Sequence, residues 1–119
     1  ILFFMACIIL YGIKNCDNIK KSRKWLDKNS VEYSFHDFYI NGINKPIIIE
    51  FLDNIEVSLL INRRSTSWRK LSEEQKIISS RPKIVELLLK NPTLIKRPIV
   101  KTKSGYIVGF DQKEFNALK

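Results

Sequence analysis

The sequence predicts an α/β protein with a mixed, four-stranded β-sheet that carries helices on its faces. The first 40 residues read as strand, helix and strand. The middle of the chain reads as helical, and the last third reads as two strands followed by a helix. We therefore expect a single domain over residues 1–119, with a helical insertion at residues 40–93 within it.

Changes of hydrophobic period define the first strand, helix and strand. "CIILYGI", residues 7–13, is a near-continuous apolar run, which is typical of a central strand covered on both faces. Residues 16–29 have a helical pattern that keeps most of the lysines away from one side. "VEYSFHDFY", residues 31–39, alternates apolar and polar side chains, as a strand with one buried face does. The buried side of the predicted helix carries Ile19, Ser22 and Leu26.

Capping residues predict where the helices of the middle region begin. Asn44, followed by a proline in the first turn, begins one helix. "VSLLI", residues 57–61, reads as a short apolar turn. Ser72 and Gln75 match a capping box, which predicts a third helix that runs to about Ser80.

Prolines and turn residues define the remaining elements. Pro82 begins a further helix, which ends at Asn91 before another proline. Two β-rich runs joined at residues 103–105 predict a hairpin. Asp111 and Glu114 match a second capping box, so a terminal helix should begin there.

Composition and charge exclude several classes of protein. With 45% hydrophobic residues the chain can bury one ordinary core, so we expect a soluble globular protein. Its two cysteines are too few for a disulfide scaffold, so we expect it in the reducing cytoplasm. Its apolar start is shorter than the roughly 20 residues that span a bilayer, and residues 1–4 are either extra strand or precede a natural start at Met5. The net charge of +9 attracts anions without selecting one. Aromatic residues are not interleaved with the basic clusters, so we expect no specific nucleic-acid binding.

The two cysteines have different surroundings. Cys7 lies inside the apolar run, and we interpret it as core packing. Cys16 lies in the first turn of a predicted helix, whose free N–H groups and positive end favour a thiolate. Lys14, Lys20 and Lys21 add positive potential around it. Since two cysteines match neither a disulfide scaffold nor a metal-binding spacing, Cys16 is a candidate nucleophile and no metal is expected.

A second candidate group lies at the start of the predicted hairpin, where the sequence reads "KRP". Pro98 cannot donate to a strand ladder, and such a proline often marks a cis bond near a site. Arg97 beside this bend would offer a planar pair of donors to a carboxylate, arsenate or phosphate. His36 is the one histidine, and we expect a surface or strand-end residue rather than a partner of a catalytic cysteine.

Three blocks of the sequence stand out together: "YGIKNCDNIKKSRKWLD", "NRRSTSWRKLS" and "LIKRPIVKTKSGYIVGF". They resemble the arsenate reductase (ArsC) family, and most closely its YffB/Spx-like subgroup, in the order that the family has them. The resemblance runs from about Ile8 to Leu118 and implies a thioredoxin-like fold with an inserted helical region. It also implies that Cys16 is the redox-active cysteine, that Arg97 contacts the anion and that Pro98 is the cis-proline facing the thiol.

The same resemblance covers the second block and marks three departures. Arg64, or its neighbour Arg63, matches the arginine of the "RGTTWRKL"-like segment. Phe110 stands where arsenate reductases carry a third arginine, and Gly12 stands where they carry a histidine. Ile19 stands at the second cysteine of the CxxC of Spx-type regulators, so no disulfide switch is expected at this helix.

Together these features predict a glutathione-dependent thiol-disulfide oxidoreductase of the ArsC/YffB type that works by monothiol exchange. Glutathione is the expected co-substrate, an oxidised thiol or oxyanion is the expected substrate, and no bound cofactor is expected. The alternatives are an Spx-like regulator that binds RNA polymerase and a glutaredoxin-coupled arsenate reductase. We expect a monomer that does not bind membranes. The expected catalytic residues are Cys16, Arg97 and Arg64, and those expected to bind substrate or glutathione are Lys14, Asn15, Lys20, Arg63 and Pro98.

Overall fold

A computed structural model of the protein describes residues 8–119. The predicted start of the first strand and Cys7 lie outside the described residues. The elements in chain order are β1 (Ile9–Gly12), α1 (Asp17–Lys28), β2 (Ser34–Asp37), α2 (Lys45–Asn54), α3 (Val57–Leu60), α4 (Thr66–Arg69), α5 (Arg81–Lys90), β3 (Ile99–Thr102), β4 (Gly105–Val108) and α6 (Gln112–Phe115). Short 3₁₀ helices follow α5 at Pro92–Leu94 and α6 at Asn116–Leu118.

The described residues divide into two compact units. The first comprises residues 8–42 together with Arg97–Lys119, and it contains the four strands with α1 and α6. The second comprises Ile43–Lys96 and contains α2 to α5.

The sheet of the first unit is mixed and has the strand order β2-β1-β3-β4. β1 pairs with β2 in parallel, since α1 connects the two strands across one face. β1 also pairs with β3 in antiparallel, and β3 forms the predicted hairpin with β4. The mixed four-stranded sheet predicted from the sequence is confirmed.

Helix α1 forms where the sequence predicts it and buries the predicted side chains. After α1 the chain reverses through Ser30, which has a positive φ of 56°. The N–H of Ser30 donates to the carbonyl of Asp27 at 3.2 Å, and the N–H of Val31 donates to that of Leu26 at 2.9 Å. These two bonds form a Schellman motif, which satisfies the last carbonyls of the helix. The buried residues of α1 are Ile19, Ser22 and Leu26.

The core of the first unit is built from side chains of the sheet, α1 and α6. Its fully or almost fully buried members are Leu10, Leu26, Val100, Ile107 and Phe115. Phe110 is partly buried and packs edge-on against Phe115, with the ring centroids 5.0 Å apart. Burial of each large apolar side chain stabilises the fold by roughly 1.5–3 kcal/mol.

The second unit is helical, and two of its helices begin as the sequence predicts. The side chain of Asn44 accepts the N–H of Ile47 at 3.0 Å, and that of Ser80 accepts the N–H of Lys83 at 3.4 Å. These caps begin α2 and α5, which pack against each other.

One prediction for the middle region is wrong. The capping box of Ser72 and Gln75 forms, with reciprocal bonds of 2.9 and 3.1 Å, but it closes a single turn and no helix follows. Two β-branched isoleucines come next, and the backbone is then extended at Ser80 because this residue caps α5. Residues 57–61, predicted as a short apolar turn, contain the one-turn helix α3.

Candidate active site around Cys16

Cys16 lies at the junction between β1 and α1. It is the N-cap residue of α1 and has an extended backbone, with φ −145° and ψ 131°. Its carbonyl accepts the N–H of Lys20 at 2.9 Å, whereas its thiol makes no capping hydrogen bond. The side chain is half-buried, and Cys16 is a free cysteine. The sulfur therefore lies at the end of a helix whose first N–H groups have no partners within the helix.

The predicted polar neighbours of the thiol in the sequence are all exposed to solvent. Lys14 and Asn15 form the connection before the cysteine, and Lys20 lies one turn after it. Asp17, the first residue of α1, is also exposed and places a carboxylate in the same turn. These side chains are accessible to a dissolved ligand, and the two signs of charge partly offset each other there.

The backbone of the connection is held by a carboxylate that the sequence analysis did not select. Asp37 ends β2, directly level with Gly12 at the end of β1. Its Oδ2 accepts the N–H of Lys14 at 2.8 Å. Its Oδ1 accepts the N–H groups of Tyr39 and Ile40, at 2.8 and 3.2 Å. The carboxylate thus joins the connection that carries Cys16 to the turn that follows β2.

Asp37 is buried, with 3% of its surface exposed. Burial is the largest single influence on this carboxyl and acts to raise its pKa. The three backbone N–H groups and the neighbouring His36 act in the opposite direction, and together they hold the pKa of Asp37 below its ordinary value. Asp37 is therefore an ionised, hydrogen-bonded carboxylate at neutral pH. An aspartate that ends a strand before a turn was the available signal, since this residue type bonds to nearby backbone N–H groups.

Arg97 and Pro98 lie at the strand end from which the cysteine connection leaves. The peptide bond between them is cis, as the sequence predicted. In the antiparallel register of β1 and β3, Tyr11 faces Ile99, so the next pair along brings Pro98 opposite Gly12. A Cβ placed on Gly12 would lie 4.0 Å from the Cβ of Arg97. Pro98 is buried, and Arg97 is half-buried with its Nε atom shielded from solvent.

Arg63 and Arg64 belong to the second unit, and both are exposed. The guanidinium of Arg63 lies over the ring of Trp68, 5.4 Å from its centroid. The backbone of Arg64 is fixed at both ends of the residue: its N–H donates to Asn62 Oδ1 at 3.1 Å, and its carbonyl accepts from Arg69 at 3.2 Å. A catalytic role for either arginine stays a prediction.

His36 lies on β2, as expected of a strand-end residue. Its Nε2 is 2.7 Å from the carbonyl oxygen of Gly42. Because a carbonyl can only accept, Nε2 carries the proton of this bond. The ring also packs against Tyr11, with the centroids 5.1 Å apart. These contacts give His36 a structural role in the turn after β2.

Among residues 8–119, no three side chains of histidine, cysteine, aspartate or glutamate gather closely enough to hold a metal ion. None of the helices in this part of the chain has the length and apolar character needed to cross a membrane.

The comparisons with known proteins agree with this architecture. The sequence pattern of the ArsC family matches residues 11–118. An uncharacterized protein of Haemophilus influenzae is 38% identical over 110 residues, which cover 92% of this chain and 96% of that protein. The solved structure of a YffB protein is 38% identical, with a TM-score of 0.87 and coverage of 93% of this chain and 97% of that one.

Another relative is named as a transcriptional regulator. The global transcriptional regulator Spx of Streptococcus agalactiae is 30% identical over 112 residues, which cover 92% of this chain and 81% of the regulator. The chain therefore belongs to the ArsC family, and its mixed four-stranded sheet has the thioredoxin-like fold of that family.

Proposed function

We propose that this ArsC-family protein is a glutathione-dependent thiol-disulfide oxidoreductase that acts as a cytoplasmic monomer. The observation that carries the proposal is the placement of Cys16. This free, half-buried thiol begins a twelve-residue helix, and Arg97 and Pro98 occupy the adjoining strand end. A free cysteine at such a position is open to attack a disulfide, since the first N–H groups of the helix have no partners within the helix.

The proposed reaction is two-electron monothiol exchange. The Cys16 thiolate attacks one sulfur of a substrate disulfide, which forms a mixed disulfide and releases the other sulfur as a thiolate. One glutathione then attacks the sulfur of Cys16 and releases the second substrate thiol. A second glutathione attacks the glutathione sulfur of the new mixed disulfide, which restores the Cys16 thiolate. Overall, one substrate disulfide is reduced to two thiols while two glutathione molecules are oxidised to one glutathione disulfide.

In this proposal the arginines bind anionic groups of the ligand and take no part in electron transfer. Arg97 would hold a carboxylate of glutathione by paired, charge-assisted hydrogen bonds. Lys14, Asn15 and Lys20 are exposed beside the thiol and would contact the rest of the tripeptide. Arg64 is proposed as a further anion contact, which substitution by alanine would test.

Two measurements test the proposal. Mass spectrometry of the protein after incubation with glutathione disulfide should find one glutathione adduct, on Cys16, that dithiothreitol removes. Reduction of hydroxyethyl disulfide by glutathione, coupled to glutathione reductase, should then show turnover by the wild-type protein.

The control is the other cysteine of the chain. Cys7→Ser should keep both the adduct and the turnover, whereas Cys16→Ser should lose both. An adduct confined to Cys7, or equal turnover by Cys16→Ser and wild type, would contradict the proposal.

A regulator that binds RNA polymerase is the second candidate, and two observations favour it. One is the 30% identity to an Spx regulator. The other is a set of four exposed cations close together in the sequence, for which no ion pair is found among residues 8–119. They are Arg63, Arg64, Arg69 and Lys70. A cationic surface of this kind suits an acidic partner.

A binding experiment with purified RNA polymerase and the immobilised protein discriminates between the two candidate functions. Retention of the polymerase by wild type and by Cys16→Ser alike, with loss on Arg63→Glu/Arg64→Glu, would support the regulator. No retention by any variant would leave the oxidoreductase as the function.

A further inference from the structure

Asp37 is a buried charged group that the proposed reaction does not use. A carboxylate with 3% exposure is costly unless hydrogen bonds replace its water. Asp37 has three backbone donors, one from the connection before Cys16 and two from the turn after β2. Its own N–H donates to the side chain of Asn41 at 2.9 Å, which fixes the residue from a fourth direction.

The bond to Lys14 is the long-range member of this set, since it joins residues 23 positions apart. Lys14 is two residues before Cys16, in the connection between β1 and α1. The N–H of Phe38 donates to the carbonyl of Gly12 at 2.9 Å, so the strand end before the connection is held as well. The position of the thiol relative to the sheet is thus set from the end of β2.

We propose that Asp37 is a positioning residue for Cys16, which it serves by binding the backbone N–H of Lys14 with its side-chain carboxylate. The inference rests on the proposed function of Cys16 as the nucleophile. Asp37 itself touches no reacting atom. Its task is to hold the connection so that the sulfur stays at the amino end of α1.

An asparagine at this position separates two possible effects of the carboxylate on Cys16, which are its hydrogen bond to the connection and its negative charge. The amide has one oxygen and one NH₂ group, so it cannot accept bonds on both sides. In either orientation at least one backbone N–H of the set faces another donor. Since one carboxylate oxygen accepts two N–H groups and the other accepts one, the amide oxygen keeps more bonds when it faces Tyr39 and Ile40. In that orientation the NH₂ group faces the N–H of Lys14, so Asp37→Asn releases the connection while the shape of the side chain is kept. It also removes a negative charge, which alone would favour the thiolate of Cys16.

The experiment compares wild type, Asp37→Asn and the control Asp111→Asn. Asp111 also accepts two backbone N–H bonds, from Lys113 and Glu114, but it does so as the exposed cap of α6. The readouts are glutathione turnover, the rate of Cys16 alkylation by iodoacetamide against pH, and hydrogen exchange of the Lys14 amide. Alkylation and exchange remain measurable if the protein turns over no glutathione, so the two proposals can fail separately.

For Asp37→Asn we expect turnover to fall about 10- to 100-fold, as misplacement of a reacting group by an ångström does. The alkylation profile should move to higher pH, and exchange of the Lys14 amide should become at least about tenfold faster, which corresponds to an opening equilibrium changed by that factor. Asp111→Asn should match wild type in all three readouts. The titratable groups around Asp37 are His36, on the same strand, and Lys14, whose side chain is exposed, and both are unchanged in these variants.

A second variant removes only the hydrogen-bond donor, which is the backbone N–H of Lys14. Ligation at Cys16 can join a synthetic segment carrying an ester in place of the Lys14 amide to residues 16–119. This chain keeps the Asp37 carboxylate and loses one hydrogen bond. Its alkylation profile should move in the same direction as that of Asp37→Asn, and it decides the question if Asp37→Asn does not fold. The inference would be overturned if these variants had turnover and alkylation rates within twofold of those of the wild type. It would also be overturned if their alkylation profile moved to lower pH.

Discussion

The backbone of Gly12 lies directly against the side chain of Ile19, so that a Cβ on Gly12 would lie 2.8 Å from Cγ1 of Ile19. Ile19 is fully buried in the first turns of α1, and Gly12 is the last residue of β1. The histidine that arsenate reductases are expected to carry at this position has no space here. The two departures from the family pattern are therefore one packing arrangement, in which isoleucine fills the space that glycine leaves.

We expect Gly12→Ala to lower the free energy of unfolding by about 1–3 kcal/mol, because an added methyl forces buried groups apart. Urea unfolding measures this change. Ile19→Val removes the outermost methyl from the contact, so the double variant should be more stable than the sum of the two single changes implies. Additive effects, to within about 0.5 kcal/mol, would show that the two side chains do not meet.

The Asp37 carboxylate should make stability depend on pH. Because the pKa of Asp37 is lower in the folded protein than in the unfolded chain, ionisation stabilises the fold above the ordinary aspartate pKa of about 3.9. This stabilisation is lost as the pH falls through the folded-state pKa. Asp37→Asn should cost about 1–3 kcal/mol at pH 7, and its difference from wild type should shrink at low pH.

Urea unfolding of both proteins between pH 7 and pH 3 checks this expectation. Asp27→Asn serves as the control, since Asp27 is exposed on α1 and should change stability by less than about 0.5 kcal/mol. A difference for Asp37→Asn that stays constant across this range would contradict an ionised carboxylate.

Ser30→Gly should stabilise the protein. Ser30 is the one residue other than glycine with a positive φ among residues 8–119, at the position of a Schellman motif where glycine is favoured. We expect a gain of roughly 0.5–1 kcal/mol in the free energy of unfolding. Ser104→Gly, in the hairpin turn, is the control without a positive φ. Equal effects of the two substitutions would mean that the strain at Ser30 is negligible.

Replacing Phe110 with the arginine of arsenate reductases should weaken the fold rather than create an anion site. Phe110 packs edge-on against the buried Phe115 and belongs to the core of the first unit. We expect Phe110→Arg to lower the free energy of unfolding by about 2 kcal/mol, whereas Phe110→Leu should cost less. Thermal unfolding with and without arsenate checks both points. Strong stabilisation of Phe110→Arg by arsenate would contradict the expectation.

Arg97 should act through the shape of its guanidinium as well as through its charge. Lysine keeps the charge and loses the planar pair of donors. In the glutathione assay, Arg97→Lys should lower kcat/KM by about 10-fold and Arg97→Ala by about 100-fold, as expected for a charge-assisted contact. Arg81→Lys is the control, since Arg81 forms an exposed ion pair with Asp53 in the second unit. Wild-type activity of Arg97→Ala would remove Arg97 from the proposed site.

The elements with strong local signals were predictable from the sequence. The pattern of α1, the cap of Asn44 and the proline before the hairpin each depend on neighbours within a few residues, and each is found as expected. The absence of a helix after Ser72 was not predictable in the same way. The capping box forms as its residues predict, but the chain has an extended backbone at Ser80, where α5 begins.

The supporting part of the candidate site depends on contacts that a local pattern does not contain. Cys16 was found because its helix begins next to it. The bond from Lys14 to Asp37 joins two strand ends, and only the parallel pairing of β1 with β2 brings them together. The fit of Gly12 to Ile19 likewise depends on how α1 lies on the sheet.

The interior position of β1 has a consequence for synthesis on the ribosome. β2 follows β1 closely in the chain, so the segment through Asp37 can pair, and hold the thiol connection, early in translation. The other strand that pairs with β1 is β3, which begins at Ile99. Arg97 leaves the ribosome just before this strand. A nascent chain would therefore present Cys16 without its arginine until the segment through Arg97 has left the exit tunnel.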